Sequence, residues 1–202
     1  MTTPAQEKEY WNKVGELDDP KPEIWGMEDY DGTTKECVEH LLDGIPLSRQ
    51  NRRHALEIGC GIGRLTGLLA PSFARMVAVD TSGSLIGRAA ERCQSYIQFI
   101  VSGGRSLPIG DEEINFIYSM ATFQHLDEKT VIGYIRESFR VLQPGGILRF
   151  QYVEGGYHDD FNHKYMHDLE IKPWLEEAGF INVTIEQGLM HSAWSWATGR
   201  KP

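Results

Sequence analysis

His54-Ala-Leu-Glu-Ile-Gly-Cys-Gly-Ile-Gly-Arg-Leu-Thr66 decides the fold. Ala55 to Ile58 form a mostly apolar run with no turn residue inside it, which reads as a short buried strand. Gly59, Gly61 and Gly63 follow at alternate positions, and Arg64 to Leu69 then carry apolar residues at helical spacing. Strand, glycine turn and helix together set backbone N–H groups and a positive helix end beside a ligand. Glycine suits such a turn because a Cβ would block both a positive φ and the close approach of backbone to ligand.

Met76-Val-Ala-Val-Asp80 is a second apolar strand that ends in a carboxylate. One helix and one strand separate it from Gly63, so Asp80 is expected beside the glycine turn. An acid there can accept both hydroxyls of a ribose, which points to a nucleoside-containing cofactor. A dinucleotide site wants G-x-G-x-x-G, and that register puts Arg64 where the last glycine belongs. This residue stands against a nicotinamide-dependent reductase.

Glu57-Ile-Gly-Cys-Gly-Ile-Gly63 followed by Val79-Asp80 resembles the first two motifs of the class I SAM-dependent methyltransferases, in their small-molecule branch. The resemblance continues in order through Ser106-Leu-Pro108, Ile114-Asn-Phe-Ile-Tyr118, Phe123-Gln-His-Leu126, Val141-Leu-Gln-Pro-Gly-Gly-Ile-Leu148 and Glu176-Glu-Ala-Gly-Phe180, and covers roughly Asn51 to the C-terminus. It implies S-adenosylmethionine as cofactor and transfer of its methyl group to a small acceptor. A binding protein without transferase activity, a regulator or partner subunit, is the other reading.

The remaining pattern fills in an α/β chain. Glu9-Tyr-Trp11 fall on a short helix; Thr33 or Thr34 caps a helix that runs through Leu42. A second crossover helix spans Ser82 to Cys93, with Thr81 or Ser82 as its cap. Strands are expected at Ile97–Val101, Ile114–Met120 and Ile147–Val153, the last after a Gln143-Pro-Gly-Gly146 turn. Asp127 caps a helix from Glu128 to Leu142; another runs from Asp168 to Ala178, interrupted near Pro173 and ended by Gly179. Ile181–Glu186 and Ser192–Thr198 close the chain as an antiparallel pair. The expectation is a Rossmann-like seven-stranded, mostly parallel sheet with helices on both faces and an antiparallel C-terminal strand pair. Ligands then lie at the carboxyl ends of the strands. Residues 1–50 form an N-terminal helical arm or lid, and 51–202 the methyltransferase domain with a substrate-loop insert at 154–167.

A chain of 202 residues suits one core, and 41% hydrophobic with 24% charged residues is ordinary for a globular domain. The net charge of -9 argues against a broad nucleic-acid footprint. Cys37, Cys60 and Cys93 are scattered, suggesting neither a disulfide framework nor a zinc cluster. The polar N-terminus is no signal peptide, and no apolar run approaches the ~20 residues of a membrane span. A cytoplasmic monomer or homodimer acting on a small molecule, without nucleic acid or membrane, is the expectation.

Cofactor contacts are assigned to Glu57, Gly59, Cys60, Gly61, Gly63, Asp80, Thr81, Gly104, Arg105 and Met120. Cys60 reads as a small loop residue rather than a thiol nucleophile. Glu57 reads either as part of a bond network near the cofactor's amino group or as a tie to the glycine turn or a helix end, since a buried carboxylate needs partners. The family carries an aspartate shortly before the Leu-Pro that contacts the adenine amino group; here Gly103 sits in its place, which leaves adenine to backbone, Ser102 or Arg105. Met120-Ala-Thr-Phe-Gln-His-Leu126 is the segment that faces the sulfonium in the family, and it lacks the Pro-Pro-Tyr of amino-methylating nucleic-acid enzymes. His125 is the candidate general base for a hydroxyl acceptor, with a structural role as the alternative. Tyr10, Trp11, Tyr157 and His158 are the candidate acceptor-side residues, with packing of the arm as the alternative for the first two. His163 and His167 stand four apart, yet the insert reads as a solvated polar loop and no metal is assigned.

Overall fold

The computed structural model describes residues 4–21, 30–154, 166, 168–188 and 194–202, with the side chains of 30–34 left aside. Among the described residues, two helices lead the chain, α1 (Pro4–Glu16) and α2 (Tyr30–Leu42). Then β1 (His54–Ile58), α3 (Arg64–Leu69), β2 (Arg75–Asp80), α4 (Gly83–Arg92), β3 (Gln98–Val101) and β4 (Ile114–Ser119) alternate. A 3-10 turn at Phe123–His125 precedes α5 (Glu128–Val141), β5 (Leu142–Val153), α6 (Asp168–Glu177), β6 (Ile181–Gln187) and β7 (Trp194–Arg200).

The seven strands form one sheet in the order β3-β2-β1-β4-β5-β7-β6. The first five pair in parallel, and β7 runs antiparallel to both β5 and β6. Burial explains the apolar strand sequences: every residue of β1 after His54 and every residue of β4 is buried, as a strand covered on both faces requires. One core joins Leu56, Val77 and Ile117 to Val131 and Ile135 of α5 and to Ile171 and Leu175 of α6. The core on the opposite face joins Ala55, Phe116 and Tyr118 to Cys37 and Leu41 of α2 and to Leu65 and Leu69 of α3. Chain order reverses between β1 and β4, and the carboxyl ends of those two strands open the crevice where a ligand fits.

Several expectations hold and a few are corrected. Ser82 caps α4 by accepting from the Leu85 N–H, and Asp127 caps α5 by accepting from Thr130 N–H at 2.8 Å. Gly179 ends its helix at φ 104°. The first helix is a thirteen-residue element rather than a short one. Helix α2 starts at Tyr30, so Thr33 and Thr34 lie inside it and not at its N-cap position. Helix α6 runs unbroken through Pro173. The proline removes one bond, to the carbonyl of the exposed Leu169, while the fully buried Ile171 and Leu175 hold the helix to the core. Pairing of β5 begins at Leu142, before the expected turn, through a bulge opposite Ile114–Phe116. No described helix is long and apolar enough to cross a membrane.

One buried charge fastens the antiparallel end of the sheet. Arg149 on β5 is 1% exposed, donates to Glu186 on β6 and to Thr198 on β7 at 2.8 Å, and reaches the His40 carbonyl of α2 at 3.2 Å. Its guanidinium lies 5.0 Å from the Trp196 ring centre. Glu186 is itself half-exposed, so the two ends of the pair are not equivalent. Glu186→Ala strands a buried cation and is expected to cost about 3 kcal/mol, whereas Arg149→Met removes the charge and keeps the volume, costing about 1 kcal/mol. Urea denaturation of the two variants ranks them; equal losses would place the fastening in the other contacts of the guanidinium.

Candidate active site

The glycine turn leaves β1 as a tight backbone knot. The Gly59 and Cys60 N–H groups both donate to the Val79 carbonyl, at 2.8 and 3.1 Å, and Gly63 N–H donates to the Cys60 carbonyl at 2.9 Å. Gly61 N–H donates to Asp80 Oδ2 at 2.9 Å. These donors are therefore engaged within the protein, and what the turn offers a ligand is chiefly room. Gly59 has φ +76°, and a Cβ there would overlap the Thr122 side chain. Gly63 has φ +77°, and a Cβ there would stand 2.6 Å from Cys93 Sγ. Gly63 thus serves helix–turn packing and does not line the cavity beside it.

That cavity has a volume of about 350 Å³, within the ~300–1,000 Å³ range of small-molecule sites. Its walls bring together Glu57, Gly59, Cys60, Gly61, Asp80, Thr81, Gly104, Met120, His125 and Trp11, all assigned from sequence. Three assignments fall elsewhere. Tyr10 is half-exposed and packs edge-on against Trp11 at 5.1 Å, because its neighbour in the helix takes the inward face. Arg105 is exposed and off the cavity wall, as Gly63 is for the reason above. Tyr157, His158, His163 and His167 lie outside the described residues. Among the described residues no three His, Cys, Asp or Glu side chains gather as a metal site.

Asp80 ends β2 with its carboxylate gripped from both sides. Besides the Gly61 N–H, it accepts from Ser82 N–H at 2.9 Å. Burial raises its pKa while these donors pull it down. The carboxylate thus ties the glycine turn to the start of α4, and it also lines the cavity.

Glu57 sits 2% exposed in the middle of β1. Its Oε2 accepts from Tyr118 OH at 2.8 Å and from the Thr66 hydroxyl of α3. The structural reading holds, since it ties a helix to the sheet; it also lines the cavity. Burial pushes its pKa up to about 7, against the pull of the two hydroxyls and of Arg64. Arg64, at the start of α3, is 9% exposed, lines the same end of the cavity and donates to Cys37 Sγ at 3.7 Å. A carboxyl group and a guanidinium thus stand side by side. Cys60 is buried, and burial raises its thiol pKa far up, which keeps it protonated and unreactive.

Sequence reasoning missed part of the wall. Leu126, Thr130 and Tyr134 line the cavity from the α5 side, and their four-residue spacing was a legible helical stripe. Ser102 is buried close to the Tyr134 hydroxyl. Ala5, Glu7, Lys8 and Trp11 of α1 close another side. Trp11 packs on Ile62 and Leu85, and meets the His125 ring edge-on at 5.3 Å. Helix α1 is fixed to α4: Ser82 Oγ lies 3.1 Å from the Trp11 carbonyl, Ser84 Oγ donates to the Asn12 carbonyl at 2.7 Å, and Arg88 Nε donates to the Gly15 carbonyl at 2.6 Å.

Residues 55–146 match the family model described as a methyltransferase domain. A trans-aconitate 2-methyltransferase from Paracidovorax citrulli is 29% identical over 147 residues, spanning 70% of this chain and 54% of the relative. A malonyl-[acyl-carrier protein] O-methyltransferase from Methylococcus capsulatus is 31% identical over 128 residues, spanning 60% and 46%. The chain covers about half the length of these relatives. Among solved structures, the N-methyltransferase NodS from Bradyrhizobium japonicum, in complex with S-adenosyl-L-homocysteine, superposes with a TM-score of 0.72 at 22% identity, over 96% of this chain and 98% of that one. The glycine turn, the β2 acid and the sheet order agree with that match, and residues 55–146 form a class I SAM-dependent methyltransferase domain.

Proposed function

We propose that this chain transfers the methyl group of S-adenosylmethionine to a small-molecule acceptor. The observation that carries the reading is that one cavity is lined by Glu57, Arg64 and Asp80, with Arg64 near enough to act electrostatically on Glu57. A zwitterionic amino-acid end needs both an anion and a cation, and a ribose needs a carboxylate acceptor. Glu57 takes the ammonium, Arg64 the carboxylate and Asp80 the ribose hydroxyls. Thr81, Gly104, Thr130 and Tyr134 surround the adenine. A nicotinamide dinucleotide offers no such zwitterion.

When bound, S-adenosylmethionine would supply an already activated methyl carbon, attacked in line by the acceptor's lone pair as the thioether leaves with the sulfur–carbon electron pair. The protein's work is orientation and exclusion of water. Met120, Ala121 and Thr122 shape the transfer face, and Trp11 with the rest of α1 covers it. His125 stands at the same face to accept the proton that a hydroxyl or ammonium acceptor must lose. The relatives include a trans-aconitate 2-methyltransferase and a malonyl-[acyl-carrier protein] O-methyltransferase, and Lys8 on the wall suits an anionic acceptor.

Isothermal titration of the purified protein with S-adenosylmethionine, S-adenosylhomocysteine and NADH tests the reading. Micromolar binding of the two sulfur nucleosides with none of NADH is expected. Failure of both sulfur nucleosides to bind would overturn it.

A further inference from the structure

Ala121, on the cavity wall directly after β4, has φ +54°. A residue with a Cβ in the left-handed region costs roughly 1–2 kcal/mol unless its surroundings hold it there. Its N–H is held from across the sheet: Ala121 N–H donates to Gln151 Oε1 at 2.9 Å. Gln151 is a fully buried residue of β5. Its Nε2 donates to Gln124 Oε1 at 3.0 Å and to the Tyr152 carbonyl at 2.9 Å. One amide therefore grips the segment 121–124 at both ends.

That segment is not a passive connection. Thr122 Oγ1 lies 3.2 Å from both the Gly59 and the Met120 carbonyls, so the turn interlocks with the glycine knot through the gap that Gly59 leaves. Phe123 is fully buried and stacks on Phe150 at 4.4 Å, which anchors the downstream half by packing. His125 follows one turn later. The packed phenylalanine fixes where the segment goes, but the peptide before it is free to relax to negative φ without the Gln151 bond. A polar side chain in the middle of an apolar sheet is costly unless all its groups are satisfied, and here each is used on this segment or beside it.

We infer that Gln151 is a positioning residue: it holds Ala121 in the left-handed turn and so sets Thr122 and His125 on the methyl-transfer face. The inference rests on the cofactor reading of the cavity. Gln151→Leu is expected to weaken S-adenosylhomocysteine binding at least tenfold. The discriminating step is rescue. Gly enters the left-handed region without a Cβ penalty, so Gln151→Leu combined with Ala121→Gly is expected to recover most of the lost affinity while the thermal midpoint stays low. Ala121→Gly alone completes the double-mutant cycle. A purely structural glutamine would lose stability and affinity together, and the glycine would restore neither. Gln151→Asn keeps the amide but shortens its reach, and serves in place of the leucine variant should that one not fold. Wild-type protein that fails to bind S-adenosylhomocysteine sinks the cofactor reading. Wild-type binding with an unimpaired Gln151 variant, or with no rescue, sinks only this inference.

Discussion

Asp80→Ala is expected to lower the affinity for S-adenosylmethionine by at least about a hundredfold. Two hydrogen bonds from ribose hydroxyls to a charged acceptor are together worth about 3–6 kcal/mol, against about 1.4 kcal/mol per factor of ten. The carboxylate also holds the Gly61 and Ser82 N–H groups in place at 2.9 Å each, so its removal loosens the turn that shapes the cavity. Asp80→Asn is no gentle substitute. Its amide nitrogen would turn a donor toward one of those two N–H donors, so it is expected to fall closer to alanine than to wild type. Titration calorimetry measures the loss, and a thermal melt separates it from unfolding. A variant that stays folded and binds within a factor of three of wild type would remove Asp80 from the site.

Glu57→Gln is expected to have opposite effects on stability and on binding, both dependent on pH. The folded carboxyl titrates at about 7 instead of 4.5, so between those values the folded state carries the extra proton. Stability from this group is complete below the unfolded value and is lost as pH rises through the folded one. At about 1.4 kcal/mol per pH unit, the whole effect is about 3 kcal/mol. Glutamine mimics the protonated acid and keeps an oxygen for Thr66 and Tyr118. The ligand-free variant should therefore match wild type near pH 5 and exceed it by about 2–3 kcal/mol near pH 8.5. Its affinity for S-adenosylmethionine should be lower, since a neutral amide does not offset a buried ammonium. Wild-type affinity should rise as pH climbs to about 7, where the free protein must give up its proton, and the variant should lose that slope. Identical pH–stability curves for the two proteins would refute the buried-acid account.

The sheet and most of the cofactor end were legible because their signals are local. An apolar run ending in Asp80 reads as a buried strand with a carboxylate at its tip, wherever the chain later goes. Three glycines between a strand and a helix read as a turn that rejects a Cβ. The placement of Glu57 left two readings open, and its partners Thr66 and Tyr118 establish the structural tie, while the cofactor role is a proposal. Arg64 was noticed as a residue out of place for a dinucleotide, not as a cation inside the cavity, since spacing does not tell which way a first-turn side chain points. Ala121 and Gln151 gave no signal: an alanine at positive φ looks like any alanine, and its support comes from a strand thirty residues away. Gly63 and Arg105 were misassigned because proximity in sequence to a ligand loop is not exposure to the ligand. Tyr157 and His158 remain proposals for the acceptor side.

Ser82 joins two parts of this molecule through one residue. Its N–H is held by Asp80, and its single hydroxyl proton is within reach of the Trp11 carbonyl, Asn12 Oδ1 and Ser84 Oγ, at 3.0–3.1 Å. The same oxygen caps α4. A ligand drawn onto Asp80 and the first helix resting on Ser82 therefore share a hinge point, and reciprocity follows. Whatever free energy ligand binding adds to the grip on α1, that grip returns in full to the ligand. Any change that loosens the first helix from Ser82 is therefore expected to weaken the ligand by the same free energy that binding adds to that grip.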